Sequence, residues 1–288
     1  MTVHKQTARG DVNMPAERSD RSHKGDYGHV LVVGGAPGMT GAARMAAKSA
    51  QLAGAGRITM GLPAGLNLSG ELGTASIMSC SLPDTPDTCL GLRAALYILE
   101  SVETWDVCAL GPGLGRAPST SAMVSRLVAD LTVPLVVDAD GLNAMAGKTA
   151  MLIERSHPTV LTPHPGEMGR LIRCPVEDVQ ADRVEVARAY AEQIDAVVVL
   201  KGHETVISNG DETWLNCTGN PGMATGGMGD VLTGLIAGLL GQGMEAMDAA
   251  RLAVFIHVYA GDAAADKTSQ MALNPEMLMD QIPETWNQ

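Results

Sequence analysis

The sequence predicts an α/β fold: a mostly parallel central sheet flanked by helices, with a late antiparallel hairpin. Three observations carry this. Short apolar, β-branched runs alternate with helical patterns along the chain. The early runs are continuously apolar rather than alternating, as in strands buried on both faces. Thr205–Ser208 and Thr213–Asn216 flank Asn209-Gly210-Asp211, turn residues between two strand-like runs.

The elements follow in order. Residues 1–23 read as a polar N-terminal arm, and 24–288 as one domain. Residues 30–33 are a strand ending in Gly34-Gly35, and 40–55 an Ala-rich helix that Gly54 and Gly56 close. Residues 57–60 are the next strand. The stretch 63–92 is irregular. Val107–Leu110 runs into Gly111-Pro112-Gly113-Leu114-Gly115, a helix spans 119–129, and strands follow at 134–138 and Thr159–Leu161. Residues 176–193 read as one helix and 196–200 as a strand. After the hairpin, helices cover 229–241 and 246–265. In the first of these, Leu232, Leu235, Ile236 and Leu239 fall at helical spacing and predict a buried face.

At 288 residues the chain can bury a large core. With one Phe, three Trp and four Tyr it lacks the stacking platforms of a single-strand nucleic-acid binder. A net charge of −12 repels a phosphate backbone, so basic groups facing an anionic ligand must be few and local. Five scattered cysteines form no C-x-x-C pair, which points away from zinc and disulfides and toward a reducing, cytoplasmic setting. No apolar run approaches a membrane span of roughly 18 residues, and the polar start reads as no secretory signal.

Chemistry concentrates in Thr225-Gly226-Gly227-Met228-Gly229-Asp230. Glycines crowd where a loop becomes a helix N-terminus, a place whose free N–H groups and dipole attract an anion. Asp230 in the first helical turn would repel a bound phosphate unless it takes a proton from an attacking hydroxyl. Its bland reading is a dipole-favoured acid. Asp138 and Asp140, after a buried strand, could hold Mg²⁺ or cap the next helix. His164, pinned between Pro163 and Pro165 at a strand end, reads as a ligand contact, and Glu167 as a helix N-terminal acid. Lys201, with Gly202 beside it, could pair with nucleotide phosphates. Gly41, Ala42 and Ala43 permit close approach of a ligand or of a strand. There is no G-x-x-x-x-G-K-[ST] and no G-x-G-x-x-G, so P-loop and Rossmann readings are weak. Ligands bind at the carboxyl ends of parallel strands, so segments 34–41, 111–115, 138–143, 162–167 and 201–205 describe one cleft with the glycine loop.

Together these segments resemble the ribokinase-like superfamily and, more closely, the ADP/ATP-dependent NAD(P)H-hydrate dehydratase family. The resemblance rests on Lys24-Gly-Asp-Tyr-Gly28, Thr40-Gly-Ala-Ala43, Gly111 to Gly115, Asp138-Ala-Asp-Gly-Leu-Asn143, His164-Pro-Gly-Glu167, Lys201-Gly-His-Glu-Thr205 and Thr225 to Gly234, in family order. It implies that a nucleotide, ADP or ATP, phosphorylates the ring hydroxyl of the S epimer of hydrated NADH or NADPH. Loss of phosphate then restores the cofactor. Carried over, Asp230 is the base, and Gly226, Gly227 and Gly229 hold the phosphoryl group. Lys201, Gly202, His203, Glu204, Thr205 and Gly229 contact the nucleotide. Ala42, Gly113, His164 and Asp230 contact the hydrated dinucleotide. Mg²⁺ is implied without assigned ligands. The resemblance also implies a homo-oligomer, with a tetramer among the forms, and a separate epimerase. The segment Phe255-Ile-His-Val-Tyr-Ala-Gly-Asp262 departs from the family at Val258 and reads as packing. A vitamin-precursor kinase of the same fold would share Asp230, and a non-catalytic nucleotide-binding module is the rival from another class.

Overall fold

The computed structural model describes residues 2–67 and 75–287. Ten strands form one sheet: β1 Val3–Gln6, β2 His29–Val33, β3 Arg57–Pro63, β4 Met78–Leu82, β5 Val107–Leu110, β6 Leu135–Val137, β7 Thr159–Leu161, β8 Val197–Leu200, β9 Thr205–Ser208 and β10 Thr213–Asn216. Their order across the sheet is β1-β10-β9-β8-β7-β6-β5-β2-β3-β4. Among the described strands only β9 runs against its neighbours, through antiparallel pairing with β8 and β10. The expected parallel sheet with a late hairpin is therefore the observed one.

The continuous apolar runs are buried on both faces. Val30 and Val32 enter one core while Leu31 and Val33 enter the other, and Val107 and Ala109 oppose Cys108 and Leu110 in the same way. This follows from the two-residue period of a strand. The first layer holds α1 Thr40–Leu52, α9 Met228–Gly241, α10 Ala246–Lys267 and α11 Pro275–Thr285. The second holds α2 Leu92–Glu100, α3 Pro118–Asp130, α4 Ala139–Met145, α5 Thr149–Ile153, α6 Pro165–Ile172, α7 Val176–Ala181 and α8 Arg183–Ile194.

Helix α9 was expected to bury one face. It is buried nearly all round, from Met228 through Leu240 apart from Gly229 and Asp230. It packs on the sheet with α1 on one side and α10 on another, and glycine makes the close approach to α1 possible. A β-carbon on Gly234 would sit 1.9 Å from the Ala46 carbonyl oxygen, and one on Gly238 2.6 Å from that of Ala50. Because backbone cannot yield as a flexible side chain does, Gly234→Ala should destabilise the fold by about 1–3 kcal/mol, or more. Thermal unfolding at fixed pH measures it. A melting temperature equal to that of the parent would contradict this packing.

The structure corrects four expectations. The polar arm joins the sheet: Val3–Gln6 pairs in parallel with β10, and the Gln6 side-chain amide donates to the Arg251 carbonyl at 3.0 Å. The polar sequence masked this strand because His4 and Lys5 stay exposed at the sheet edge. Within the stretch read as irregular, Met78–Leu82 is a parallel edge strand, while residues 68–74 of that stretch lie outside the described residues. The helix expected over 176–193 is two, because Asp182 leaves helical geometry (φ −146°, ψ 71°) and accepts from the Glu185 N–H as a new cap. Helices α2, α5 and α11 were not anticipated, and of α4 and α6 only the starts were, through Asp138 with Asp140 and through Glu167. Four of these have five to nine residues, too short to show a clear period, and α11 carries Pro283 inside it.

Candidate active site

Strands β2, β5, β6, β7 and β8 run parallel, so their carboxyl ends share one edge. The predicted segments after Val33, Leu110, Val137, Leu161 and Leu200 all leave from it. There a cavity of about 820 Å³ opens. Its charged and polar wall includes Asp138, His164, Lys201 and Asp230, and its apolar wall Met223, Leu232, Val254 and Val258.

Gly227 is the cap residue of α9, with φ +95°, a left-handed conformation that glycine adopts without strain. The next N–H groups, of Met228, Gly229 and Asp230, precede the first helical hydrogen bond from Val231 to Gly227 and remain available to an anion. Gly229 lies against Lys201, whose Nζ would be 3.1 Å from a β-carbon there.

Lys201 ties the cluster together. Its Nζ donates to the Asp138 carboxylate at 2.7 Å and lies 3.9 Å from that of Glu167. Asp138 also accepts from the Thr233 hydroxyl at 2.8 Å. Burial works against the Asp138 charge, yet Lys201 and the hydroxyls of Thr233 and Thr162 hold its carboxyl below the usual range. Asp138 is thus not a side-chain helix cap, one of the two roles its sequence context offered; its carboxylate faces the cavity already paired with Lys201 and Thr233. Burial pushes the Asp230 carboxyl up to about 7, the nearby Asp138 charge adds to that, and Lys201 opposes it. A carboxylate poised near neutrality suits proton abstraction. His257 is buried and pushed down to about 4, so it stays neutral, with Nε2 2.9 Å from the Met228 carbonyl.

His164 caps a helix and lines the cavity at once. Its Nδ1 accepts from the Gly166 and Glu167 N–H groups at 3.0 and 3.3 Å, while Glu167 returns a bond to the His164 N–H at 2.9 Å. This reciprocal capping box starts α6 and leaves the proton on Nε2, with half the side chain still exposed at the cleft. Glu167 is the helix acid expected, though burial raises its carboxyl pKa against the pull of Lys201.

The structure brings Asp230, Gly227, Gly229, Lys201, Gly202, His203, Thr205 and His164 to this cavity. Gly226 is exposed beside it and is not in its lining. Glu204 lines a neighbouring cavity of about 530 Å³ with Arg183 and Gln180. Ala42, in the first turn of α1, and Gly113, in the loop after β5, meet each other, and a β-carbon on Gly113 would be 3.1 Å from that of Ala42; they lie outside the main cavity's lining.

The segment 255–262, read as packing, does more. Val258 and His257 line the cavity. Asp262 accepts from the Gly219 N–H at 3.1 Å and from the Asn220 side-chain amide at 2.7 Å, holding the loop that leads into α9. The acid at the end of the Ala-Gly-Asp stretch was the available signal. Asp262→Ala should weaken nucleotide binding about tenfold, the worth of one or two charge-assisted hydrogen bonds. Titration calorimetry with ADP reads this, and unchanged affinity would mean that the loop holds itself.

Among the described residues no group of three or more His, Cys, Asp or Glu could cage a metal ion. Mg²⁺ in phosphoryl-transfer sites is held largely by phosphates and water with one or two carboxylates, and Asp230 with Asp138 at the cavity wall fits that mode.

The family model for NAD(P)H-hydrate dehydratase matches residues 30–284. A bifunctional NAD(P)H-hydrate repair enzyme of Moorella thermoacetica is 48% identical over 92% of this chain and 50% of its own. The chain spans about half the length of several curated relatives it matches. The ADP-dependent (S)-NAD(P)H-hydrate dehydratase of Bacillus subtilis is 36% identical, with 95% of this chain and 93% of that one covered. The crystal structure of the ADP/ATP-dependent NAD(P)H-hydrate dehydratase from B. subtilis, co-crystallized with ATP and Mg²⁺, superposes with a TM-score of 0.82 at 32% identity, covering 95% and 94% of the two chains.

Proposed function

This chain belongs to the NAD(P)H-hydrate dehydratase family, and we propose that it uses a nucleotide, ADP in the first instance, to dehydrate the S epimer of hydrated NADH or NADPH. The observation that carries this reading is Asp230, poised near pH 7 in the first turn of α9 and sharing one cavity with Lys201 and the N–H groups after Gly227.

Asp230 takes the proton of the ring hydroxyl as its oxygen attacks the terminal phosphoryl group and the bridging P–O bond to the nucleotide breaks. The N–H groups of Gly227 and Gly229 face the transferring phosphoryl, and Lys201 compensates its charge. Gly202, His203, Glu204 and Thr205 hold the nucleotide, and Ala42, Gly113 and His164 the hydrated dinucleotide. Asp230 and Asp138 would hold Mg²⁺ bound with the nucleotide phosphates, and it would there offset phosphate charge. The phosphorylated carbon then loses phosphate, pushed by the ring nitrogen lone pair, and loss of the adjacent proton restores the double bond. ADP ends as AMP and phosphate, with no redox partner consumed.

Residues 24–288 are the catalytic unit in this reading, acting in the cytoplasm as a homo-oligomer and supplied with the S epimer by an epimerase. The B. subtilis enzyme that uses ADP supports the donor, and the bifunctional relatives support the epimerase link. Among the described residues no helix is long and apolar enough to cross a membrane.

The test mixes purified protein with hydrated NADH, Mg²⁺ and either ADP or ATP and follows the reduced-nicotinamide absorbance. Nucleotide-dependent recovery is expected, and the better donor is read from the rates. No recovery with either nucleotide, in protein that binds both, would overturn the dehydratase reading in favour of a kinase or a binding module.

A further inference from the structure

Helix α2 carries a surface stripe that the site does not use. Ala94, Ala95 and Ile98 pack into the core, while Leu92, Leu96 and Tyr97 on the other side are 52%, 50% and 45% exposed. Tyr97 lies beside Cys80 of the neighbouring β4, and Met78 on that strand, 47% exposed, continues the apolar patch. Among the described strands β4 ends the sheet order, so the patch borders the edge of the described sheet.

The charges on the stripe are placed unusually. Arg93 lies in the first turn of α2 and Glu100 is its last residue. A helix dipole prefers the reverse, with acids at the N-terminus and bases at the C-terminus. Both side chains are exposed, and neither has an ion-pair partner among the described residues. At 3.6 residues per turn, Leu92, Arg93, Leu96, Tyr97 and Glu100 fall within an arc of roughly 140°. The midpoint between Arg93 and Glu100 falls between Leu96 and Tyr97.

We propose that this stripe is a twofold interface at which α2 packs antiparallel against α2 of a second copy of this chain. An axis at Leu96 and Tyr97 sets Arg93 of each copy beside Glu100 of the other. The patch is then isologous, as a twofold contact requires. The arrangement explains both anomalies together. The apolar centre is covered, and each charge that opposes its own helix dipole meets an opposite charge and the opposite end of an antiparallel dipole.

Sedimentation velocity over a concentration series tests this with the whole chain. The parent should sediment as a dimer or a higher even assembly. Leu96→Glu places two acids at the axis and should raise the dissociation constant of this contact at least about a hundredfold. Arg93→Glu should raise it about tenfold, and Arg93→Glu with Glu100→Arg should bring it back, since the charges exchange places across the axis. Circular dichroism confirms that each variant is folded, and because these positions are on the surface, melting of the dissociated chain should stay near the parent. A parent that remains monomeric at every concentration overturns the interface. So does an assembly that Leu96→Glu leaves intact, or an Arg93→Glu defect that the second reversal does not repair.

Discussion

Asp230→Asn should abolish turnover while leaving nucleotide binding nearly intact. The amide keeps the shape of the side chain and cannot accept the hydroxyl proton, so the loss should be at least about 10²–10⁴-fold, the usual worth of a general base. The same substitution should stabilise the protein. In the folded chain the carboxyl titrates at about 7 rather than at its ordinary 3.8, with burial the main cause. The folded form therefore holds its proton more tightly than the unfolded chain. The penalty for ionising Asp230 is absent below the ordinary value, grows as pH rises toward 7, and is constant above it. Removing the acid relieves that penalty, by about 1–3 kcal/mol once water in the open cleft is allowed for. Melting temperatures should thus rise at pH 8 and change little at pH 4. In the parent, kcat/KM should climb with pH to a plateau above about 7. Unchanged turnover in Asp230→Asn would sink the mechanism, and a pH-independent rate would remove Asp230 as the titrating base.

Lys201→Met should cost both stability and activity, because it leaves the fully buried Asp138 carboxylate without its cation. Breaking one side of a buried pair costs about 3–5 kcal/mol. In the parent, Asp138 titrates below its ordinary value, so its contribution is present above that value and is lost as pH falls through the folded one. Without Lys201 the sign reverses. Burial is then opposed only by the hydroxyls of Thr233 and Thr162, and ionisation becomes a penalty that grows with pH. The variant should therefore lose more stability at pH 8 than at pH 4. Adding Asp138→Asn should restore much of the stability and none of the turnover, since the phosphoryl group still lacks its cation. Thermal melts of the two single variants and the double variant close the cycle. Parent-like stability of Lys201→Met at pH 8 would show that the pair contributes nothing to folding.

The chemistry-bearing loops were legible because they follow buried parallel strands, and a parallel sheet puts every such loop on one edge. The glycine-rich start of α9 was legible for a related reason: glycines crowding before an apolar helical run mark where a loop turns into a buried helix. The same reasoning failed where charge hides burial or where elements are short. His4 and Lys5 concealed β1, which pairs by backbone while these two side chains stay exposed. Asp182 divides a helical pattern whose period runs through it. The stretch 255–262 reads as apolar packing because helix periodicity does not reveal that Asp262 ends opposite Gly219 and Asn220.

The sequence by itself determined the layered α/β architecture, the glycine-rich helix start and the identity of the acid within it. These depend on local period, chain order and residue type. The tertiary structure decided which charges meet. Asp138 and Lys201 are 63 positions apart, and Thr233 and Asp138 are 95 apart, yet they form one buried network beside Asp230. Burial of Asp230, with the Asp138 charge beside it and against the pull of Lys201, raises it toward neutrality, which residue type alone does not do. A pKa depends on distance and dielectric, and both are set only when the strands and α9 pack together.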